Sequence, residues 1–148
     1  MSELVSTYRG TVQAWHCDHM GHMNVMWYVG KFDEATWNLL SQMGLTGAYF
    51  RERQRGMVAV EQRLQYRREL VAGDTLVIAS GVLEMKAKAL LFFHEMRNGE
   101  TGEVAATCRL TGVHIDTLSR KSQALPADVA ARGASFLRPY DFGDRADG

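Results

Sequence analysis

Residues 14–44, AWHCDHMGHMNVMWYVGKFDEATWNLLSQMG, change character halfway. The first half gathers three of the five histidines, His16, His19 and His22, with Cys17 and Asp18 around Gly21. From Val25 onward a period takes over. Val25, Val29, Phe32, Thr36, Leu39 and Met43 recur every three or four residues, and Tyr28, Ala35 and Leu40 widen the stripe. That is the spacing of one helix face. Lys31, Glu34, Asn38, Ser41 and Gln42 fall on the polar sides. Asn24 has the side-chain oxygen an N-cap needs, and Gly44 suits the C-terminal stop. The spacing predicts one long helix of about five turns.

Outward from this helix the pattern is β. Tyr8–Trp15 precedes it as a strand rich in β-branched and aromatic residues. After residue 56, apolar and polar residues alternate from Val58 to Tyr66, and Ala72–Asp74 is a turn. A strand follows from Leu76 to about Met85, with a tight connection at Lys86–Lys88. Ala89–Arg97 and Val104–Asp116 are two further strands, joined by a glycine-containing hairpin loop at 98–103. A short helix is expected after Pro126, and a polar, frayed tail over 141–148. The order is one strand, one long helix and four antiparallel strands: an α+β chain with a single domain over 1–140. One helix cannot cover both faces of five strands. The economical solution curls the sheet around the helix and buries the remaining surface against a second copy.

The length, 148 residues, suits one core. Lysine plus arginine and aspartate plus glutamate each number 17, so no net charge draws the chain to nucleic acid or an anionic membrane. Two cysteines outside any CxxC pair make no disulfide framework. The opening residues carry no basic leader followed by an apolar run, and no apolar stretch reaches the roughly 20 residues of a membrane span. The expectation is a cytoplasmic, reduced protein.

Three chemistries compete for the 14–28 segment. A metal would draw on His16, Cys17, Asp18, His19 and His22. Zinc sites pair such ligands with a second pair farther along, and Cys108, His94 and His114 form none. A Cys17–histidine nucleophile is disfavoured because neighbours in an extended segment point to opposite faces. The third candidate is Asp18 before a helix N-terminus. There unpaired N–H groups and the helix dipole would polarise a carbonyl, and a carboxylate would attack its carbon or activate a water. From the residues alone, Asp18 as a turn cap and Asp18 as the working group both stand.

WHCDHMGHMNVMWYVGKFDEA resembles the signature of hotdog-fold acyl-CoA thioesterases of the 4-hydroxybenzoyl-CoA thioesterase-like group. In that group an aspartate, a glycine and a His- or Asn-containing turn lead into a long helix bearing a tyrosine. Here those positions are Asp18, Gly21, His22, Asn24 and Tyr28. The similarity runs to about Asp116, and GHMNV, FDEAT, YRREL, FHEMR and TGEVAAT are closest to the betainyl-CoA thioesterases. The resemblance implies a five-stranded antiparallel sheet wrapped around one central helix. It implies hydrolysis of a short, polar or aromatic acyl-CoA, with betainyl-CoA among the candidates, to the acid and free CoA. Asp18 would be nucleophile or general base, the N–H near Val25 would polarise the thioester carbonyl, and Gly21, His22 and Asn24 would shape the turn and contact the substrate. It implies no metal or other cofactor, coenzyme A being part of the substrate. It also implies a homodimer or homotetramer with the site between subunits. The chain departs from the group at Val25 and Trp27, where many relatives carry asparagine. A non-catalytic acyl-CoA-binding hotdog dimer is the alternative; the His and acidic placement of hotdog dehydratases is not found.

Other residues carry two readings each. Glu61 is a second carboxylate for the site or a solvent-facing strand residue. Trp15 and Trp27 are a cage for a quaternary ammonium or packing residues, as is Trp37. Arg67, Arg68, Lys86 and Lys88 hold the CoA phosphates or form a solvated rim. His94 and His114 alternate with apolar neighbours and read as strand residues without chemistry.

Overall fold

The computed structural model describes residues 3–143. The chain runs β1 (Val5–Thr11), a 3-10 turn (Ala14–His16), α1 (Val25–Gln42), α2 (Gly47–Arg53), β2 (Arg55–Tyr66), β3 (Thr75–Met85), β4 (Ala89–Asn98), β5 (Val104–Asp116) and α3 (Ala127–Ser135). The strands form one sheet in the order β1-β3-β4-β5-β2, antiparallel throughout. The five-stranded antiparallel sheet with one long helix is thus present. Register shifts interrupt all four strand pairs, at Ser6/Tyr8, Ala59/Glu61, Val82/Glu84 and Met96/Arg97. Such bulges bend their strands and increase twist, and so curl the sheet toward α1.

The helix begins where its capping residue places it. Asn24 Oδ1 accepts the Met26 N–H at 2.9 Å. Gly44, at φ +98°, follows its end. Tyr28, Phe32, Ala35, Leu39 and Leu40 turn into a core shared with Ile78, Leu90, Phe92, Met96 and Leu110 of the sheet. The buried face is rotated from the predicted stripe. Val25 and Val29 are exposed, while Lys31, expected on a polar side, is buried.

Four expectations need correction. The first strand ends at Thr11 rather than Trp15. The Gln13 N–H turns to His16 Nδ1 at 2.9 Å, a local bond that closes a turn instead of extending the ladder. The second is α2, which the sequence reading passed over; Thr46 caps it by accepting the Tyr49 N–H at 3.1 Å. The third is the tail. Residues 144–148 lie outside the described residues, but Phe142 is buried, set edge-to-face against Phe93 and under the Arg109 guanidinium at 4.3 Å. The fourth is the outer face of the sheet. Phe93 and Glu95 on β4 face away from α1, and the chain's own Tyr140 and Phe142 cover them, with Tyr140 donating to Glu95 at 2.7 Å. That part of the sheet needs no second copy.

Candidate active site

Asp18 sits in a tight turn between the 3-10 turn and α1. Its N–H donates to the His22 carbonyl at 3.2 Å, and its carbonyl accepts the Gly21 N–H at 3.0 Å. Cys17 and Met23 close the base of the turn as a bridged pair. Gly21 takes φ +85°, a conformation that disfavours any side chain. The turn is anchored by Met23, whose N–H reaches the Leu70 carbonyl at 2.7 Å.

Inside the turn the carboxylate is held at both oxygens. Oδ1 accepts the Met20 N–H at 2.9 Å and Oδ2 accepts Asn24 Nδ2–H at 2.8 Å. Asn24 therefore does two jobs at once. Its oxygen caps α1 and its amide nitrogen fixes Asp18, so the carboxylate and the helix N-terminus are set by one side chain. The hydrogen bond from Asn24 holds the Asp18 carboxyl below its ordinary range, followed by that from Met20 and the nearby His19 and His22. Val25, the first helical residue, has no intrahelical acceptor for its N–H. A bound, ionised carboxylate thus lies beside an electropositive helix end. Asn24→Ala removes the cap and is expected to cost about 1 kcal/mol of stability, read as a lower midpoint in urea.

A cavity of about 410 Å³ opens beside this end of α1, lined by His22, Val25, Tyr28, Tyr66, Arg67 and Arg68 among others. His22 Nε2 lies 3.5 Å from Glu69 Oε1. Arg68 pairs with Glu103 at 3.0 Å, while Arg67 donates to Gln65 and to the Phe142 carbonyl. A second, mostly apolar cavity of about 380 Å³ lies between the exposed side of α1 and the sheet, with Met26, Val29, Trp37, Met57, Phe92 and Leu110 on its walls.

The other expected site residues scatter. Trp27 packs against the His16 ring at 4.3 Å, and Trp15 meets the same ring at 5.7 Å. His16 fills the space between the two indoles, so they form no open cage. Glu61 stands exposed on β2, five residues before Tyr66, about 17 Å along the strand. Within one protomer nothing brings it to Asp18. Lys86 and Lys88 belong to the β3–β4 connection and line none of these cavities. Among the described residues no three of His, Cys, Asp or Glu are grouped to hold a metal. No helix among them is long and apolar enough to cross a membrane.

Comparison with known proteins gives this geometry a context. The model of the "Thioesterase-like superfamily" matches residues 12–133. The "L-carnitine dehydrogenase/betainyl-CoA thioesterase" of Rhizobium meliloti (strain 1021) is 29% identical over 135 residues, covering 91% of this chain and 27% of that protein. The chain thus spans about a quarter of that relative's length. The "Long-chain acyl-CoA thioesterase FadM" of Escherichia coli (strain K12) is 26% identical over 118 residues, covering 80% of this chain and 89% of FadM. A solved Staphylococcus aureus protein in complex with CoA superposes with a TM-score of 0.87 at 20% identity, covering 96% of this chain and 90% of that one; it shares the fold. With the matched segment running from the exit of β1 into α3, the chain belongs to the thioesterase-like superfamily.

Proposed function

We propose that this chain hydrolyses acyl-CoA thioesters, with Asp18 as the reacting carboxylate and the first turn of α1 as the oxyanion site. The observation that carries the reading is the pair of bonds through Asn24, which set an ionised carboxylate against the helix N-terminus. Two routes use the same atoms. Asp18 attacks the thioester carbon, expels the CoA thiolate and leaves a mixed anhydride that water cleaves. Alternatively it takes a proton from water as that water attacks. In both, the tetrahedral oxygen faces the Val25 N–H, where a donor is worth most because charge develops there. The names of the relatives support the substrate class, and a short polar or aromatic acyl group, betainyl included, is the proposed range. The cavity beside Val25 supports a place for the thioester, and Arg67 and Arg68 on its wall for CoA phosphates. The chemistry uses no metal or redox group.

The test is free-thiol release from betainyl-, 4-hydroxybenzoyl-, hexanoyl- and palmitoyl-CoA. Release from at least one is the expected result. No release from any, with CoA still bound, would leave the alternative: a hotdog dimer that binds acyl-CoA without cleaving it.

The same reading places a second copy along β2. This strand is one of the sheet's two edges. It exposes Val58 and Val60, and α1 exposes Val25, Met26 and Trp37 beside it. An unpaired edge with apolar side chains is a template for another strand, and a partner there would also bring its own Glu61 toward the site region. Val60→Lys is expected to shift the protein to monomer in sedimentation analysis. An unchanged assembly would place the interface elsewhere.

A further inference from the structure

A third pocket, of about 330 Å³, lies on the β1 side of α1, and the hydrolytic reading makes no use of it. Tyr8, Gln13, His16, Trp27, Lys31 and Glu34 are on its walls. Two of them are polar groups placed where burial is costly. Lys31 is 5% exposed and His16 8% exposed.

The Lys31 ammonium donates to the Thr11 carbonyl at 3.1 Å and, at longer range, to the Tyr8 hydroxyl at 3.5 Å. Both acceptors are neutral. No carboxylate among the described residues lies within ion-pair distance of it; Glu34 stands exposed at the mouth of the pocket. His16 Nδ1 accepts the Gln13 N–H at 2.9 Å, so the neutral ring carries its proton on Nε2. That Nε2–H has no partner among the described residues. Burial lowers the pKa of both groups. The charge of Lys31 lowers that of His16 further, and Glu34 raises that of Lys31 only in part. A cation and a donor, on side chains more than nine-tenths buried, share one cavity, and the one carboxylate on its walls, Glu34, acts on Lys31 only from beyond ion-pair distance. Such an arrangement is expensive unless something completes it.

We propose that this pocket binds a carboxylate, holding the acid group of a small organic acid between the Lys31 ammonium and the His16 Nε2–H. One full positive charge and one neutral donor match a single negative charge. Glu34 at the mouth opposes a phosphate dianion, and Lys31 repels a quaternary ammonium. The indole of Trp27, packed on His16, supplies an apolar wall. Gly30 borders both this pocket and the larger apolar cavity, and a Cβ there would meet nothing within 4 Å. The helix surface is therefore low between the two, and an acid anchored at Lys31 has room to lay a short apolar chain across Gly30.

The test needs no CoA and so does not depend on the hydrolytic reading. Hexanoate is titrated into the full chain carrying Trp15→Phe and Trp37→Phe, which leaves Trp27 as the fluorophore. A saturable change is expected, with a matching shift of the His16 ring resonances. Lys31→Met should weaken hexanoate binding by about 30-fold or more, the loss of a charged hydrogen bond. Glu34→Gln, a change at an exposed position, should tighten it. The proposal fails if hexanoate gives no saturable response in the folded wild type, or binds Lys31→Met as well as wild type. It also fails if choline, or inorganic phosphate, binds at least as tightly as hexanoate. Should Lys31→Met not fold, an unmoved His16 resonance at saturating hexanoate would overturn it.

Discussion

Acidification from pH 7 to about pH 3 is expected to remove about 5 kcal/mol of folding stability through His94 alone. The side chain lies on β4, fully buried, between α1 and the sheet. The Thr36 hydroxyl donates to the Phe32 carbonyl at 3.1 Å, so its oxygen takes the His94 Nε2–H at 2.8 Å. Nδ1 is left bare and accepts from Ser80 at 2.5 Å, and Ser80 in turn meets Thr7 at 2.8 Å. The chain of hydroxyls fits a neutral ring and offers no anion to an imidazolium. Burial drives its pKa from the ordinary 6.5 down to about 3. The unfolded chain takes a proton on this histidine as pH falls through 6.5, and the folded chain refuses it until about 3. The unfolded state thus binds more protons across that window, and stability falls with falling pH. It is fully present above 6.5, and the loss is complete near 3. The slope approaches about 1.4 kcal/mol per pH unit in mid-window. Urea melts at a series of pH values should carry this slope in wild type and lose about one proton's worth of it in His94→Gln. The wild-type His94 ring resonances should not move between pH 7 and 4.

The elements that sequence revealed are those whose period is long. α1 and β2 to β5 repeat their apolar spacing over ten or more residues, enough for the pattern to stand above single exceptions. What failed was local or distant. α2 is only seven residues, too short for a period, and Thr46 was its one signal. Lys31 fell on the polar side of a helical wheel because a wheel does not know that β1 will lie across it. The His94 network was beyond reach for another reason. Thr36, Ser80 and Thr7 lie far from His94 in sequence, and only the folded sheet brings them to it. Asp18 is intermediate. Its place before the helix was readable, but its bond to Asn24 was not. An N-cap reading assigns the asparagine oxygen and says nothing of the nitrogen, which here does the positioning.

Asp18→Asn is expected to lower kcat/KM for whichever acyl-CoA is cleaved by a factor on the order of 10² to 10⁴. The substitution keeps the shape of the side chain and one oxygen for the Met20 N–H. It removes the charge, and with it both the nucleophile and the base. The Asn24 amide loses an anionic acceptor but still caps α1 through its oxygen, so the fold should persist and CoA affinity should change little. A loss confined to kcat, with binding intact, is the mark of a group that acts in the transition state. The pH profile of the wild type gives a second readout. Hydrogen bonds hold the Asp18 carboxyl below its ordinary value of 3.8, so it stays ionised at all pH values above that. The acidic limb of kcat/KM should therefore fall below the ordinary carboxylate range, and Asn24→Ala, which removes the largest cause, should move it upward. If Asp18→Asn retained wild-type turnover, the carboxylate would be a turn cap and the hydrolytic proposal would lose its central group.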